Sequence, residues 1–335
     1  MDQTDVVAVV GTCAPERARC ATDLARSTGR VLFPALRVSM AADPVDEALA
    51  LAPWAAAEGA VVEFPPAIAP TEIIGRFADP GSPARLVGLT CVVDAAHLLD
   101  DLGRDDYLVH PLPGGSRRFR ARALATATQI EYATTVVCAN WDALPTPELS
   151  VVLAVVSALG PRARIRLHPA PVDAPELSDP PASAQDRPGW IALLNDEHDP
   201  HMTDSRVRTL RYQSLRPFHP ERLERLLEDR IGTGEFGAVL RSAGFCRLAT
   251  RPKVTAHWEQ VGDMISLPPV STDDDLAEDE ELLAAGQDIA FIGLDLDDRA
   301  LVRALDDACL TDDEFAAGPD AWAALADPFP AWAEA

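Results

Sequence analysis

The chain has 335 residues, 29 basic against 53 acidic, and a formal net charge of −24. Its 47% hydrophobic and 24% charged content is ordinary for a globular protein and predicts about two domains, each able to bury a core. Lys253 is the sole lysine, so residues 1–252 cannot supply the lysine of an orthodox phosphate loop or of a guanine-reading NKxD motif.

Other broad features narrow the class. No stretch reaches the ~18 uninterrupted apolar residues of a membrane span, and MDQTDVVAVV lacks the basic start and cleavage site of a signal peptide. Cys13, Cys20, Cys91, Cys138, Cys246 and Cys309 form no CxxC pair and read as reduced thiols. A soluble, cytoplasmic protein is expected. Residues 271–335 hold 19 acids against Arg299 and Arg303, a net of −17, whereas residues 206–253 hold 11 basic and 5 acidic residues, a net of +6. The overall field repels phosphate, which argues against general nucleic-acid binding. The basic segment reads first as a solvated Arg-rich helix and strand, with a local contact left open.

In chain order, DVVAVVG (5–11) reads as a buried strand and PERARCATDLARSTG as the helix after it. Residues 43–59 read as a helix with Asp43 as N-cap and Pro44 at its first position. GAVVEF (59–64) is the next strand, and 85–102 a strand ending at Asp94 that runs into a short helix. Residues 116–133 read as helix, 134–142 as strand, 145–161 as a helix stopped by Gly160 and Pro161, and 162–169 as a last strand. This alternation predicts an α/β fold with a doubly wound, mainly parallel sheet over residues 1–170.

Residues 171–205, rich in proline and polar residues, read as a linker. Beyond it, 206–335 reads as a smaller α+β domain. Its strands are expected at VRTLRYQSLRPF, FCRLATRP, TAHWEQVGDMISLPP and QDIAFIGLDLD, its helices at HPERLERLLEDR and 297–311, and an acidic loop at 271–286. Phe329 and Trp332 in DPFPAW are expected to pin the chain end onto this domain. No Gly-x-Ser-x-Gly, HExxH, GxGxxG or catalytic Cys/His spacing stands out, so no catalytic residue is assigned.

The phrases LRPFHPERLERLL, VLRSAGFCRLATRP, HWEQVGD and LTDDEFAAG…W…DPFPAW, in that order, together with VVEFPPAIAP, LTCVVDAAHLL and QIEYATTVVCANWDAL, carry a resemblance. The chain resembles the CobW-type family of P-loop proteins, GTP-dependent metallochaperones and their relatives, over nearly its whole length. The resemblance implies a P-loop-like domain at 1–170 and a CobW-type C-terminal domain at 206–335.

Carried over position by position, the family's nucleotide motifs are eroded. Gly11 of GTCAPERARC matches the first loop glycine, but Ala14 and Glu16 replace two others, Arg17 the lysine, and Ala18 the magnesium-binding hydroxyl. Glu63 and Pro70 match the switch segment, while Pro66 stands where a glycine N–H would meet the γ-phosphate. Asn140 and Asp142 fall in the NKxD strand. The resemblance thus implies at most a residual GTP site of Gly11, Arg17, Glu63, Asp94 and Asp142. On residue type alone Asp142 reads preferentially as a cap for the following helix, and Asp94 as either a metal-facing carboxylate or a strand-end cap.

The family's CxCC zinc motif is absent, since no cysteine lies between Gly29 and Glu63. Glu197, His198, Asp199 and His201 remain as a weak Zn²⁺ cluster, which reads first as polar linker. In this eroded form the chain resembles the family's factor that recruits a hibernation protein to ribosomes during zinc starvation. That implies a non-enzymatic role in zinc limitation, with a protein partner or the ribosome, no membrane and no DNA. The alternative is a GTP-binding metallochaperone in zinc homeostasis with an altered phosphate loop.

Overall fold

A computed structural model describes residues 3–55, 58–111, 117–169, 187–273 and 286–332. The chain divides into two compact units, Met1–Gly189 with Asp199–Asp204, and Trp190–His198 with Ser205–Ala335.

The first unit contains β1 (Thr4–Val10), β2 (Val31–Phe33), β3 (Ala60–Glu63), β4 (Ala84–Asp94), β5 (Tyr107–Pro111), β6 (Arg117–Ala121), β7 (Thr135–Ala139) and β8 (Arg164–Leu167). Six of these form a parallel sheet in the order β2-β3-β1-β4-β7-β8. Val6 to Val10 of β1 are fully buried, as expected of a central strand covered on both faces. The helix Ala14–Thr28 packs Cys20, Ala21 and Leu24 into the cluster made by Val7, Val9, Val61, Val92 and Val137. Strand order reverses beside β1: β2 and β3 lie on one side, β4, β7 and β8 on the other. Such a reversal opens a crevice at the carboxyl ends of the strands, where open α/β sheets bind ligands.

Local outcomes correct several sequence expectations. The helix after Asp43 is Pro44–Leu51, followed by a 3-10 turn Ala52–Trp54, because Pro53 cannot continue the ladder. Asp43 caps it, its carboxylate accepting from the N–H groups of Val45 and Asp46. Residues 117–121, expected to be helical, form β6, paired antiparallel with β5; the helix begins only at Arg122. The alternation Arg-Arg-Phe-Arg has a period of two there: Arg118 reaches Glu72 and Arg120 reaches Thr128, while Phe119 is exposed. The short edge strand β2 was not foreseen.

The second unit is an antiparallel sheet of β9 (Val207–Ser214), β10 (Ala238–Cys246), β11 (Val254–Val261), β12 (Met264–Ser266), β13 (Pro269–Thr272) and β14 (Gln287–Leu294). Their order is β12-β11-β10-β14-β9, with β13 also on β11. The second expected strand, FCRLATRP, is displaced: β10 ends at Cys246 and the rest turns away. Helices Pro220–Leu226 and Asp298–Ala308 cover a core that includes Phe218, Trp258, Phe291 and Leu301. Phe329 and Trp332 pack on that core, and the Trp332 indole donates to Leu267 O at 2.7 Å.

The expected linker is only partly one. Gly189–Leu194 is a helix whose Trp190 packs on Ala243 and Ala290, an apolar burial that the surrounding prolines masked. Residues 170–186 lie outside the described residues, as does most of the acidic loop, 274–285; Ser271 and Thr272 at its start belong to β13.

Candidate functional site

The crevice at the carboxyl ends of the parallel strands is built first by the turn after β1. Only Gly11, Thr12 and Cys13 separate the strand from the helix Ala14–Thr28. Gly11 has φ 150°, and a Cβ there would lie 2.4 Å from Val92 O, so the turn demands glycine. Helix therefore occupies the stretch where a phosphate loop would still be open coil. Arg17 N–H is already committed to Cys13 O at 3.0 Å, and the Thr12 hydroxyl bonds that of Thr126 at 3.0 Å.

Arg17, the expected phosphate-facing cation, points into the protein. Its Nε donates to Glu63 Oε1 at 2.9 Å and its Nη1 to Gly11 O, while Glu63 Oε2 accepts from Ala35 N–H at 3.0 Å. Both side chains are buried, with 5% and 7% exposure. Pro66, in the segment after β3, offers only its carbonyl, which accepts from Gln129 Nε2 at 2.9 Å.

A cavity of about 260 Å³, which neither Arg17 nor Glu63 lines, is bordered by Glu16, Arg19, Cys20, Val92, Ala139, Asn140, Asp142, His168 and Pro169. Glu16 faces it with a carboxylate that accepts from Arg19 at 2.7 Å and from Asn140 at 3.5 Å. Asn140 holds a left-handed conformation, φ 54°. Arg19 and His168 were not foreseen as lining residues. His168 follows β8, and only the sheet order brings it to the helix Ala14–Thr28, where its Nε2 lies 3.3 Å from Asp23.

The remaining predicted residues divide. Asp142 borders the cavity and is exposed, but it does not cap the next helix: that helix, Thr146–Leu159, follows Pro145 with no side-chain cap. Asp142 sits instead in a separate 3-10 turn, Trp141–Ala143, which puts its side chain out of register with the later N–H groups. Asp94 makes the contacts of a strand-end cap. It accepts from Ala96 N–H and from the His97 ring at 2.8 Å, a bond that raises the His97 pKa. Gly11, Arg17 and Glu63 thus converge, while Asp142 stands on the cavity rim.

A magnesium–triphosphate does not fit these residues. The turn is too short to wrap phosphates, the cation is consumed by Glu63, the Glu16 carboxylate opposes a like charge, and Ala18 has no hydroxyl. Metal ligation fares no better. Among the described residues no group of three or more His, Cys, Asp or Glu side chains is placed to hold a metal ion. Of the expected zinc cluster, Glu197 and His198 belong to the second unit and Asp199 and His201 to the first, where His201 Nδ1 bonds the Ser157 hydroxyl at 3.2 Å. Burial pushes the thiols of Cys13, Cys20 and Cys138 up to about 12 and raises Cys91 well above its usual range. They are protonated at neutral pH and poor ligands.

Comparison with known proteins identifies residues 207–309 as a cobalamin synthesis protein CobW C-terminal domain. The zinc-regulated GTPase metalloprotein activator 1 of Dictyostelium discoideum is 24% identical over 60% of this chain and 46% of its own length. The zinc chaperone Rv0106 of Mycobacterium tuberculosis is 28% identical over 73% of this chain and 61% of its own length. The chain therefore spans about half to three fifths of these relatives. The Zn(II)-bound YjiA GTPase from E. coli superposes with a TM-score of 0.38 at 13% identity, covering 92% of this chain and 100% of that one. No helix among the described residues is long and apolar enough to cross a membrane. With residues 207–309 matched, the chain carries a CobW C-terminal domain, and beyond that domain it is similar to two zinc-linked proteins.

Proposed function

We propose that this chain acts in zinc homeostasis, in the metallochaperone branch of the CobW-type family, with an altered phosphate loop. The observation that carries this reading is the 28% identity with a zinc chaperone along 73% of the chain, more than the matched C-terminal domain alone accounts for. The eroded loop argues that zinc handling here does not turn on an orthodox magnesium–GTP cycle. A second reading makes the chain a non-enzymatic factor, which the buried Arg17–Glu63 pair supports by removing the phosphate-facing cation; that such a factor recruits a hibernation protein to ribosomes when zinc is scarce rests on the resemblance alone.

One experiment serves both. Cells lacking the chain are grown with and without a zinc chelator and fractionated on a sucrose gradient. The chaperone reading expects a growth defect confined to zinc depletion and relieved by zinc or by the intact chain. Equal growth under both conditions removes it. Under the second reading the chain itself moves into the ribosomal fractions on depletion, and a chain that stays at the top of the gradient refutes it.

A further inference from the structure

We infer that the Arg17–Glu63 pair is a nucleotide-independent staple, doing permanently with a side-chain carboxylate what a bound phosphate does transiently in an orthodox loop. The inference does not rest on the zinc reading; it concerns how the first unit is held.

The geometry joins four segments through two side chains. Arg17, in the first turn of the helix Ala14–Thr28, donates Nε to Glu63 at the end of β3 and Nη1 to the carbonyl of Gly11 after β1. Glu63 spends its other oxygen on Ala35 N–H, the start of the helix Ala35–Val38. Phe64 N–H then bonds Val9 O at 2.9 Å, fixing the exit of β3 to β1. A guanidinium that satisfies a carboxylate and a carbonyl at once, out of water, is a strong charge-assisted arrangement.

Its burial is what makes it permanent. A phosphate would have to displace the Glu63 carboxylate from a cation that is 5% exposed, leaving Glu63 buried and unpaired. Breaking a buried pair from one side is strongly destabilising, whereas removing both partners together is often tolerated. The loop after β1 and the segment after β3 are thereby locked in one arrangement, and this unit does not switch with nucleotide.

The test uses the full chain. Hydrogen exchange of residues 11–17 and 63–69 is measured with and without millimolar GTP and Mg²⁺, and thermal unfolding is compared for Arg17→Met, Glu63→Gln and the double variant Arg17→Met/Glu63→Met. The staple expects no change in wild-type exchange on adding GTP and Mg²⁺, faster exchange of both segments in either single variant, and a double variant that melts well above the sum of the single losses. Slowed exchange on adding GTP and Mg²⁺ overturns it, since the pair would then open to ligand. Strictly additive losses in the double variant overturn it equally. Should neither single variant fold, a folded double variant supports the coupling, and the wild-type arm decides the question in every case.

Discussion

At the scale of single residues, the site is governed by Gly11. Its φ of 150° and the 2.4 Å approach of Val92 O to any added Cβ leave no room for a side chain. Gly11→Ala is expected to cost about 1–3 kcal/mol, as overpacking of a rigid backbone contact does, and chemical denaturation should show it. An unchanged midpoint would mean that β4 can move aside. Arg17 shows what a sequence displays and what it hides. The loss of lysine, hydroxyl and two glycines was legible in GTCAPERARC, because each is a change of residue type at a known spacing. The partner of Arg17 was not legible, since Glu63 lies 46 residues away and meets it only after β1 and β3 pair. The cavity residues Arg19 and His168 stayed hidden for the same reason, and the cap expected of Asp142 failed because Pro145 starts a separate element.

Among the elements, those with strong apolar runs were the readable ones: β1, β4, β7 and β14 all carry buried Val, Ile, Leu or Ala in series. The β5–β6 ribbon was not, because its period-two signal is short: β5 alternates exposed Tyr107 and Val109 with buried Leu108 and His110, and β6 buries only Ala121. The short helix Asp312–Ala317 has no buried residue, so its ends must hold it. Thr311 and Glu314 form a capping box, Thr311 Oγ1 accepting from Glu314 N–H and Glu314 Oε2 accepting from Thr311 N–H. Arg222 grips the same carboxylate at 2.7 and 2.9 Å. The Arg222 bond, with the Thr311 contacts, lowers the Glu314 carboxyl from its usual 4.5 to about 2. A depressed folded pKa gives stability that is fully present above 4.5 and lost as pH falls towards 2. Glu314→Gln should therefore unfold earlier than wild type at neutral pH and converge with it by pH 2, as followed by circular dichroism. A constant gap across that window would show that the charge is not what Arg222 uses.

Across the whole molecule, the opposed charges of 206–253 and 271–335 prove to be complementary inside the second unit. Arg208 pairs with Asp298, Arg211 with Asp288, Arg216 with Asp312, Arg222 with Glu314, Arg247 with Asp273 and Arg251 with Asp327. Each exposed pair adds little stability, about 0–1 kcal/mol. Together they decide the surface field: six arginines that looked free in the sequence are already neutralised by the acidic C-terminal stretch. Arg251 also stacks 4.2 Å over Trp332, and so helps to hold the chain end. A polyanion would gain counterion release only from cations it can reach, against a net charge of −24. The 335-residue chain is accordingly expected to show no binding to a single-stranded RNA oligomer at about 0.15 M salt, where the screening length is about 8 Å, as measured by fluorescence anisotropy. Lowering the salt should not rescue binding, because the same change strengthens the internal pairs and the overall repulsion alike. Salt-sensitive binding, weakened by Arg216→Ala or Arg208→Ala, would show instead that these pairs open to RNA and would restore a nucleic-acid role for the basic segment.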